Sequence, residues 1–409
     1  MQTHVPTVRA FLRASKGAFA VLGSAVMRSM AAVLGLAWAL IDFATAAETG
    51  GTREVEQLHD ACRRSDLEEV RALLAKEAIP NLEATTGMEK RTALLWAVQG
   101  RASRAEERCG IVAELLRRGA KIEARAHVGE GALELACAPG WEPKLLELLL
   151  QHGAAVDPDP KIRPASDSAL HRAVALSDEA LARFLIAHRA NPKATARVRG
   201  DTPLMRVFAS GGSERWRLFS SEKARESALR MASLLLEAGA DLHAVNTEGE
   251  TALHCAAAAN HLAAIRDLLS RGAKADARAS DGRTVLHHAV SNPRHHDRAV
   301  LQALQAASRL PIDVTDQAGN TLLHRAVRAG NPLGVQSLLL MGAKANARNK
   351  DKKLPADMEG YDFLDRATQE MLERYSLRES RPGAPDGEPP ARLQPNTAAA
   401  RAWRMGVCS

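Results

Sequence analysis

The chain has 409 residues, 46% of them hydrophobic and 25% charged, with aromatics at only 3%. Leucine and alanine carry the apolar content, which provides for a buried core and favours helices over sheets. The formal charge of +7 thins out along the chain once the first 47 residues are set aside, which argues against nucleic acid as a partner. Five cysteines stand at irregular spacing without a CxxC pair. That excludes a disulfide framework and a zinc site, although one pair remains compatible with the count.

The first segment reads as a leader. Arg28 precedes an apolar run from Met30 to Ile41, and Ala44-Thr45-Ala46 follows with the small residues of a peptidase site. Charge, short apolar run and small-residue exit together predict a signal peptide over residues 1–47, cleaved after Ala46 or Ala47. The stretch before Met27 is long for such a leader, so Met27 or Met30 is an alternative start. The predicted location is periplasmic or secreted. The alternative is an inner-membrane anchor, since the run Ala18–Val26 and the second run together are long enough to span, but Arg28 interrupts them.

From there a short pattern keeps returning. It reads SALH at 168–171, TALH at 251–254, TVLH at 284–287 and TLLH at 321–324, with a looser QLH at 57–59. Its leucine aligns with Leu58, Leu94, Leu133, Leu170, Leu204, Leu253, Leu286, Leu323 and, weakly, Leu354. Most units end in a second signature built on Gly-Ala, such as SRGAKADAR from Ser270 and LMGAKANAR from Leu340. Within one unit, Leu253, Ala256 and Ala257 make one apolar helical face. Leu262, Ile265, Leu268 and Leu269 make a second, beyond a turn at Asn260. Gly272 is placed to close that second helix, and Glu248-Gly249 and Asp281-Gly282 mark turns between units. A two-helix unit of this size cannot bury its own core, so neighbours must stack.

A period near 33 with a T-P-L-H-x-A pattern resembles the ankyrin repeat. The resemblance covers roughly residues 54–376 and implies an all-α solenoid of eight to nine helix-turn-helix units. The array is assigned to residues 48–376. It also implies a structural role for the recurrent histidines His59, His171, His254, His287 and His324, bonded within and between the turns. The residues support that role independently, because the same slot holds Leu95, Glu134 and Met205 in other units. A working ligand would not be exchanged for leucine.

The units break their rule in a few places. A long connection runs from Gln99 to Gly110. His295-His296 lies near His288, but no acidic or thiol ligand stands at ordered spacing, and no metal is expected there. The largest break is an insertion around 209–225 in the fifth unit, where Trp216 and Phe219 sit among basic and serine residues. Such an insertion either packs a lengthened helix or carries interface anchors. The last unit, up to Tyr375, reads as a cap with a polar outer face. Proline, glycine and charge dominate residues 377–409, which read as a disordered tail.

No phosphate loop, metal-protease motif or nucleophile elbow is present. The expected function is a non-enzymatic scaffold without cofactor that binds a protein on the concave face of the stack. Ankyrin arrays vary the turn positions while keeping the core. That implies contacts from Arg199, Asp201, Glu248, Glu250, Asp281, Arg283, Gln317 and Asn320, with Trp216 and Phe219 added by the insertion. Their charges are mixed, which fits a folded partner with a polar surface. A sharper form is an immunity or inhibitor protein that neutralises a secreted toxin or lipase-type effector. A second alternative is a metal- or thiol-dependent redox or stress protein using the loop histidines or Cys408. Nucleic acid is not expected as a partner, and a membrane only if the leader stays uncleaved.

Overall fold

A computed structural model describes residues 52–75, 81–86, 89–127, 129–157, 167–196, 198–209, 222–293 and 298–379. Residues 1–51, where the leader is expected, most of the insertion with Trp216 and Phe219, the His295-His296 pair, Cys408 and the residues from 380 on lie outside these. Among the described residues the regular elements are helical, joined by turns that carry single antiparallel bridges such as Arg278 with Thr284. No described helix is long and apolar enough to cross a membrane.

The chain divides into two compact units, Met1–Ala136 with Glu142–Ala154, and Cys137–Trp141 with Ala155–Ser409. The first holds three helix pairs: α1 (Thr52–Arg64) with α2 (Leu67–Leu74), α3 (Ala93–Val98) with α4 (Ala105–Arg117), and α5 (Ala132–Ala136) with α6 (Pro143–Gln151). Their buried faces meet through Leu58, Leu74, Leu94, Ile111, Leu115 and Leu146. The connection expected from Gln99 to Gly110 is shorter than that, because α4 already begins at Ala105. Glu106 and Glu107 suit its first turn, and Arg108 is buried against Glu142 at 2.9 Å.

The second unit holds five more pairs. They are α7 (Ala169–Leu176) with α8 (Glu179–Ala187), α9 (Pro203–Phe208) with α10 (Glu222–Glu237), α11 (Ala252–Ala258) with α12 (Leu262–Ser270), α13 (Val285–Val290) with α14 (Arg298–Ser308), and α15 (Leu322–Arg328) with α16 (Pro332–Leu340). Two 3₁₀ turns, Pro355–Asp357 and Tyr361–Phe363, and α17 (Arg366–Glu379) close the series. First helices pack on first helices: α9 on α11, α11 on α13, α13 on α15. The insertion ends earlier than expected, since Glu222–Arg225 belong to a lengthened α10 whose buried face is Ala228, Met231, Ala232 and Leu235. Likewise α17 runs past residue 376, because no proline or glycine interrupts the chain before Pro382.

Three pairs, α7 with α8, α11 with α12 and α15 with α16, fold by the same two closures. At the end of α11, Asn260 takes a positive φ of 53° while His261 N–H donates to Ala256 O at 3.1 Å. His261 then caps α12, its Nδ1 accepting from Ala264 N–H at 3.2 Å. Ser177-Asp178 and Gly330-Asn331 repeat this, so the residue that closes one helix opens the next. At the end of α12, Gly272 sits at φ +93° and Ala273 N–H reaches Leu268 O at 2.9 Å. The Gly-Ala signature is therefore a helix C-terminus: a left-handed residue followed by one whose amide reaches back.

A different demand acts on the glycine of the inter-repeat turn. Gly282 has φ +78°, and a Cβ built on it would lie 2.8 Å from the backbone nitrogen of Gln317 in the next turn. Around the equally left-handed Gly272, nothing lies within 4 Å of such a Cβ. Gly282→Ala is therefore expected to destabilise the protein by about 2–4 kcal/mol, combining left-handed strain with overpacking. Gly272→Ala is expected to cost about 1 kcal/mol. Urea unfolding of the two variants checks the order; equal midpoints would contradict the close approach at Gly282.

Candidate functional site

In the second unit the turns between helix pairs form a row. Each closes on itself, as when Asn246 N–H donates to Glu250 O at 3.0 Å, Ala279 N–H to Arg283 O at 2.8 Å and Asp316 N–H to Asn320 O at 3.0 Å. Each is also tied to the turn before it. Thr247 N–H donates to Arg199 O at 2.9 Å, Ser280 N–H to Glu248 O at 2.7 Å, Gln317 N–H to Asp281 O at 3.0 Å, and Lys350 N–H to Ala318 O at 3.1 Å. These rungs satisfy backbone groups that would otherwise face a neighbouring turn unpaired, and they set the spacing of side chains along the row.

The recurrent histidines anchor the row from beneath. His324 is fully buried. Its Nδ1 accepts from Thr321 N–H at 3.2 Å, and Nε2 donates to Lys353 O in the next turn at 3.0 Å. His287 does the same between Thr284 N–H and Asn320 O, and His171 between Ser168 N–H and Asp201 O. His254 takes Thr251 N–H at 3.1 Å, and His59 meets the hydroxyl of Thr86 at 2.7 Å. An amide donating to Nδ1 leaves the proton on Nε2, so each bridging ring is a neutral tautomer. Where other residues fill the slot, the pattern bends. The buried Glu134 accepts Gly131 N–H at 3.0 Å in place of the ring, whereas beside Leu95 the hydroxyl of Thr92 is buried without a hydrogen-bond partner.

The turn residues divide into two groups. Asp201, Glu250 and Asn320 are only 2%, 5% and 5% exposed, so they cannot present a side chain to a partner as expected from the sequence. They brace the turns instead. Asn246 donates to Asp201 at 2.8 Å and to Glu250 at 3.2 Å, and Asn349 donates to Asn320 at 2.9 Å. Arg199, Glu248, Asp281, Arg283 and Gln317 keep access to solvent on neighbouring turns. Their charges are mutually engaged: Arg199 with Glu250 at 2.5 Å and Glu248 at 3.2 Å, Arg283 with Asp281 at 2.5 Å. One layer in, Arg206 meets Asp167 at 2.6 Å and Arg325 meets Asp316 at 2.5 Å.

Sequence reasoning missed the bracing residues Asn246, Asp316 and Asn349, although each opens its turn at the same place before the next tetrad. It also missed two exposed valines, Val198 in a turn at 86% exposure and Val245 just before one at 59%. The loop carrying Val198 is one residue longer than its neighbours, closing from Ala196 to Asp201. None of the described cysteines is in a disulfide; burial pushes the thiols of Cys62 and Cys255 up to about 12, which leaves them unreactive as nucleophiles. No group of three or more His, Cys, Asp or Glu among the described residues could hold a metal.

Burial also governs the histidines. It lowers His59, His254 and His287 from 6.5 to about 4. His288 falls to about 2, because burial, the ring of His254 and Arg283 outweigh the Glu250 carboxylate 3.6 Å away, which Arg199 already engages. His171, His261 and His324 are lowered for the same first reason.

The family described as ankyrin repeats (3 copies) matches residues 170–279 and 219–306, and the single ankyrin repeat matches residues 318–350. Among curated proteins, the chain is 34% identical over 127 residues to transient receptor potential cation channel subfamily A member 1 of Homo sapiens. That alignment takes 31% of this chain and 11% of the channel subunit. It is 27% identical over 282 residues to Rabankyrin-5 of Homo sapiens, covering 62% of this chain and 23% of that protein. It is 28% identical over 284 residues to the E3 ubiquitin-protein ligase KEG of Arabidopsis thaliana, covering 58% and 16%. The chain thus spans between 11% and 23% of the length of these relatives. Among solved structures, the ankyrin repeat domain of Bcl-3 aligns with a TM-score of 0.46 at 25% identity, covering 61% of this chain and 97% of that domain. The human ASB11 ankyrin repeat domain aligns with a TM-score of 0.46 at 22% identity, covering 62% and 98%.

Two outcomes follow from the buried rings. Replacing His324 by Ala leaves Thr321 N–H and Lys353 O unpaired and is expected to cost about 2–4 kcal/mol, with Gln recovering the part that Nδ1 supplies. Urea unfolding of both variants checks this, and an unchanged midpoint for the Ala variant would contradict the bridge. The second outcome concerns pH. The unfolded chain binds protons on these histidines near 6.5, the folded one only near 4 or below, so stability is complete above 6.5 and falls as pH drops from 6.5 to 4. Unfolding midpoints measured at several pH values should decline across that window; a level profile would show that the rings are not held neutral.

Proposed function

Because the chain is an ankyrin-repeat protein, we propose that its row of inter-repeat turns is a non-enzymatic protein-binding face. An array of ankyrin repeats is a scaffold for protein–protein interaction. The observation that carries the reading here is the division of labour in the turns. Buried Asp201, Asn246, Glu250, Asp316, Asn320 and Asn349 hold the backbone rigid. Glu248, Asp281, Arg283, Gln317 and the paired Arg199 stand above it at a spacing set by the rungs. A rigid frame with polar tips loses little conformational freedom on binding, which suits recognition of a folded protein. Charges already paired across the row favour a partner with a mixed polar surface over a uniformly charged one.

The sequence of residues 27–47 supports export, and with it a periplasmic or secreted place of action. Trp216 and Phe219, between α9 and α10, are proposed as aromatic additions to the same interface. The face would lie on the concave side that the turns and first helices make in this family.

The test uses the exported mature protein, whose first residue is expected by N-terminal sequencing to be Ala47 or Glu48. Glu248→Ala, Asp281→Ala and Gln317→Ala are combined. Arg199 is left in place, because it is the cation nearest the buried Glu250 and its removal would confound stability with binding. The combined variant should melt like wild type and capture at least about tenfold less of the partner that wild type retains from an envelope extract. Full capture by the folded variant would move the interface away from the turns.

A further inference from the structure

The last turn of the row differs in charge from all the others. Within the ten residues from Lys344 to Lys353 stand Lys344, Arg348, Lys350, Lys352 and Lys353, against the single acid Asp351. All five cations are exposed. Their backbones are tied down: Lys344 N–H to the Asp313 carboxylate at 2.9 Å, Lys350 N–H to Ala318 O at 3.1 Å, and Lys353 O to His324. Their charged heads are not neutralised. Among the described residues no carboxylate lies within 4.0 Å of any of the five charged groups, and the Arg348 guanidinium donates only to Lys352 O at 2.6 Å. Elsewhere along the row, Arg199, Arg206, Arg283 and Arg325 each rest against a carboxylate, and the cations without one, such as Lys193, Lys274 and Arg278, stand singly or in twos on their turns. The fold places on one held turn an unpaired positive charge of the kind that attracts a partner.

The surroundings limit the kind of partner. The preceding turn has the partly exposed Asp313, the buried Asp316 held by Arg325, and no Lys or Arg between Pro311 and Thr321. Two turns further back, Asp241 and Glu248 are exposed with no Lys or Arg between Asp241 and Glu250, although Arg199 of the turn before meets Glu248 at 3.2 Å. On the other side α17 exposes Glu370 and Glu373. The basic ground is thus about one turn wide. A nucleic acid, with a phosphate every few ångströms, would run from it onto carboxylates in either direction. A short run of aspartate or glutamate side chains would not. At about 10 Å for each packed layer, the basic turn stands roughly 30 Å from the acidic one, beyond the roughly 8 Å over which charge acts in physiological salt. The two ends therefore recognise different parts of whatever lies along the row.

We propose that the Lys344–Lys353 turn docks an acidic segment of the protein partner, and so fixes the direction in which that partner lies along the array. This rests on the turns being the binding face. Unpaired exposed charges of this kind act chiefly on association rate and orientation, so the contact is salt-dependent.

The experiment uses the full chain and an octaglutamate peptide carrying a fluorophore. Binding is followed by anisotropy beside a short DNA duplex and vesicles containing phosphatidylserine. Lys350→Glu with Lys352→Glu should weaken the peptide by about tenfold or more, and added salt should weaken it in the wild type. A control with the same change of net charge, Lys193→Glu with Lys274→Glu, should leave it within about twofold. If the reversed variant melts lower, Lys350→Gln with Lys352→Gln replaces it and should show a smaller loss in the same direction. Equal loss in the control, or none in the reversed variant, overturns the proposal. Tighter binding of duplex or vesicle, lost in the same variant, overturns it in favour of a different anion. Undiminished capture of the native partner by the reversed variant removes this turn from the interface while leaving the other turns in place as the binding face.

Discussion

One imidazole serving two backbones is the interaction on which the second unit depends. His324 takes the amide that opens its own helix and gives its other nitrogen to the carbonyl that closes the next turn. The first bond is local, a cap within four residues. The second spans 29 positions in sequence and sets the register between one repeat and the next. Because the ring lies fully buried, both bonds must be made or both partners go unsatisfied in a place water does not reach. His287 and His171 repeat the arrangement, so the same device sets the register at three joints of the unit.

With that register in place, the turns come close enough to bond to one another. Their rungs run in one direction, each turn donating to the one before it. Close approach is what removes the side chain from Gly282, and what buries Asp201, Glu250 and Asn320 beneath the neighbouring turn. Stability in such a stack is shared between each repeat and its neighbours, so damage at one turn is felt on both sides of it. The same neutral histidines make the stack sensitive to acid, since unfolding frees them to bind protons.

The frame and the surface answer to different constraints. Positions facing the next repeat are held to a few residue types by packing and hydrogen bonding. Tips facing solvent are not, and there the charges vary from paired (Arg199 with Glu250, Arg283 with Asp281) to unpaired at Lys344–Lys353. A partner would meet a surface whose spacing is fixed and whose chemistry changes from turn to turn.

Much of this was legible in the sequence by itself. The tetrad, the Gly-Ala ending and the period near 33 determined the helix pairs and their stacking, because caps, left-handed glycines and apolar faces are local demands that any window of some fifteen residues displays. The slot shared by histidine, leucine and glutamate marked a structural position, since Glu134 accepts the same kind of amide that the rings accept. What only the tertiary structure decided was exposure at the turns. Asp201 and Glu250 look like surface acids in sequence, and they are buried because Asn246 and Arg199 meet them across 45 and 51 residues. The five cations near the C-terminal end look like ordinary dilution of a net +7, and their charged groups have no ion-pair partner because the one carboxylate that reaches the turn, Asp313, is taken by the backbone N–H of Lys344. Whether a polar residue braces a turn or faces a partner depends on the backbone that the next repeat lays against it, and that neighbour lies some thirty residues away, beyond the reach of any local pattern.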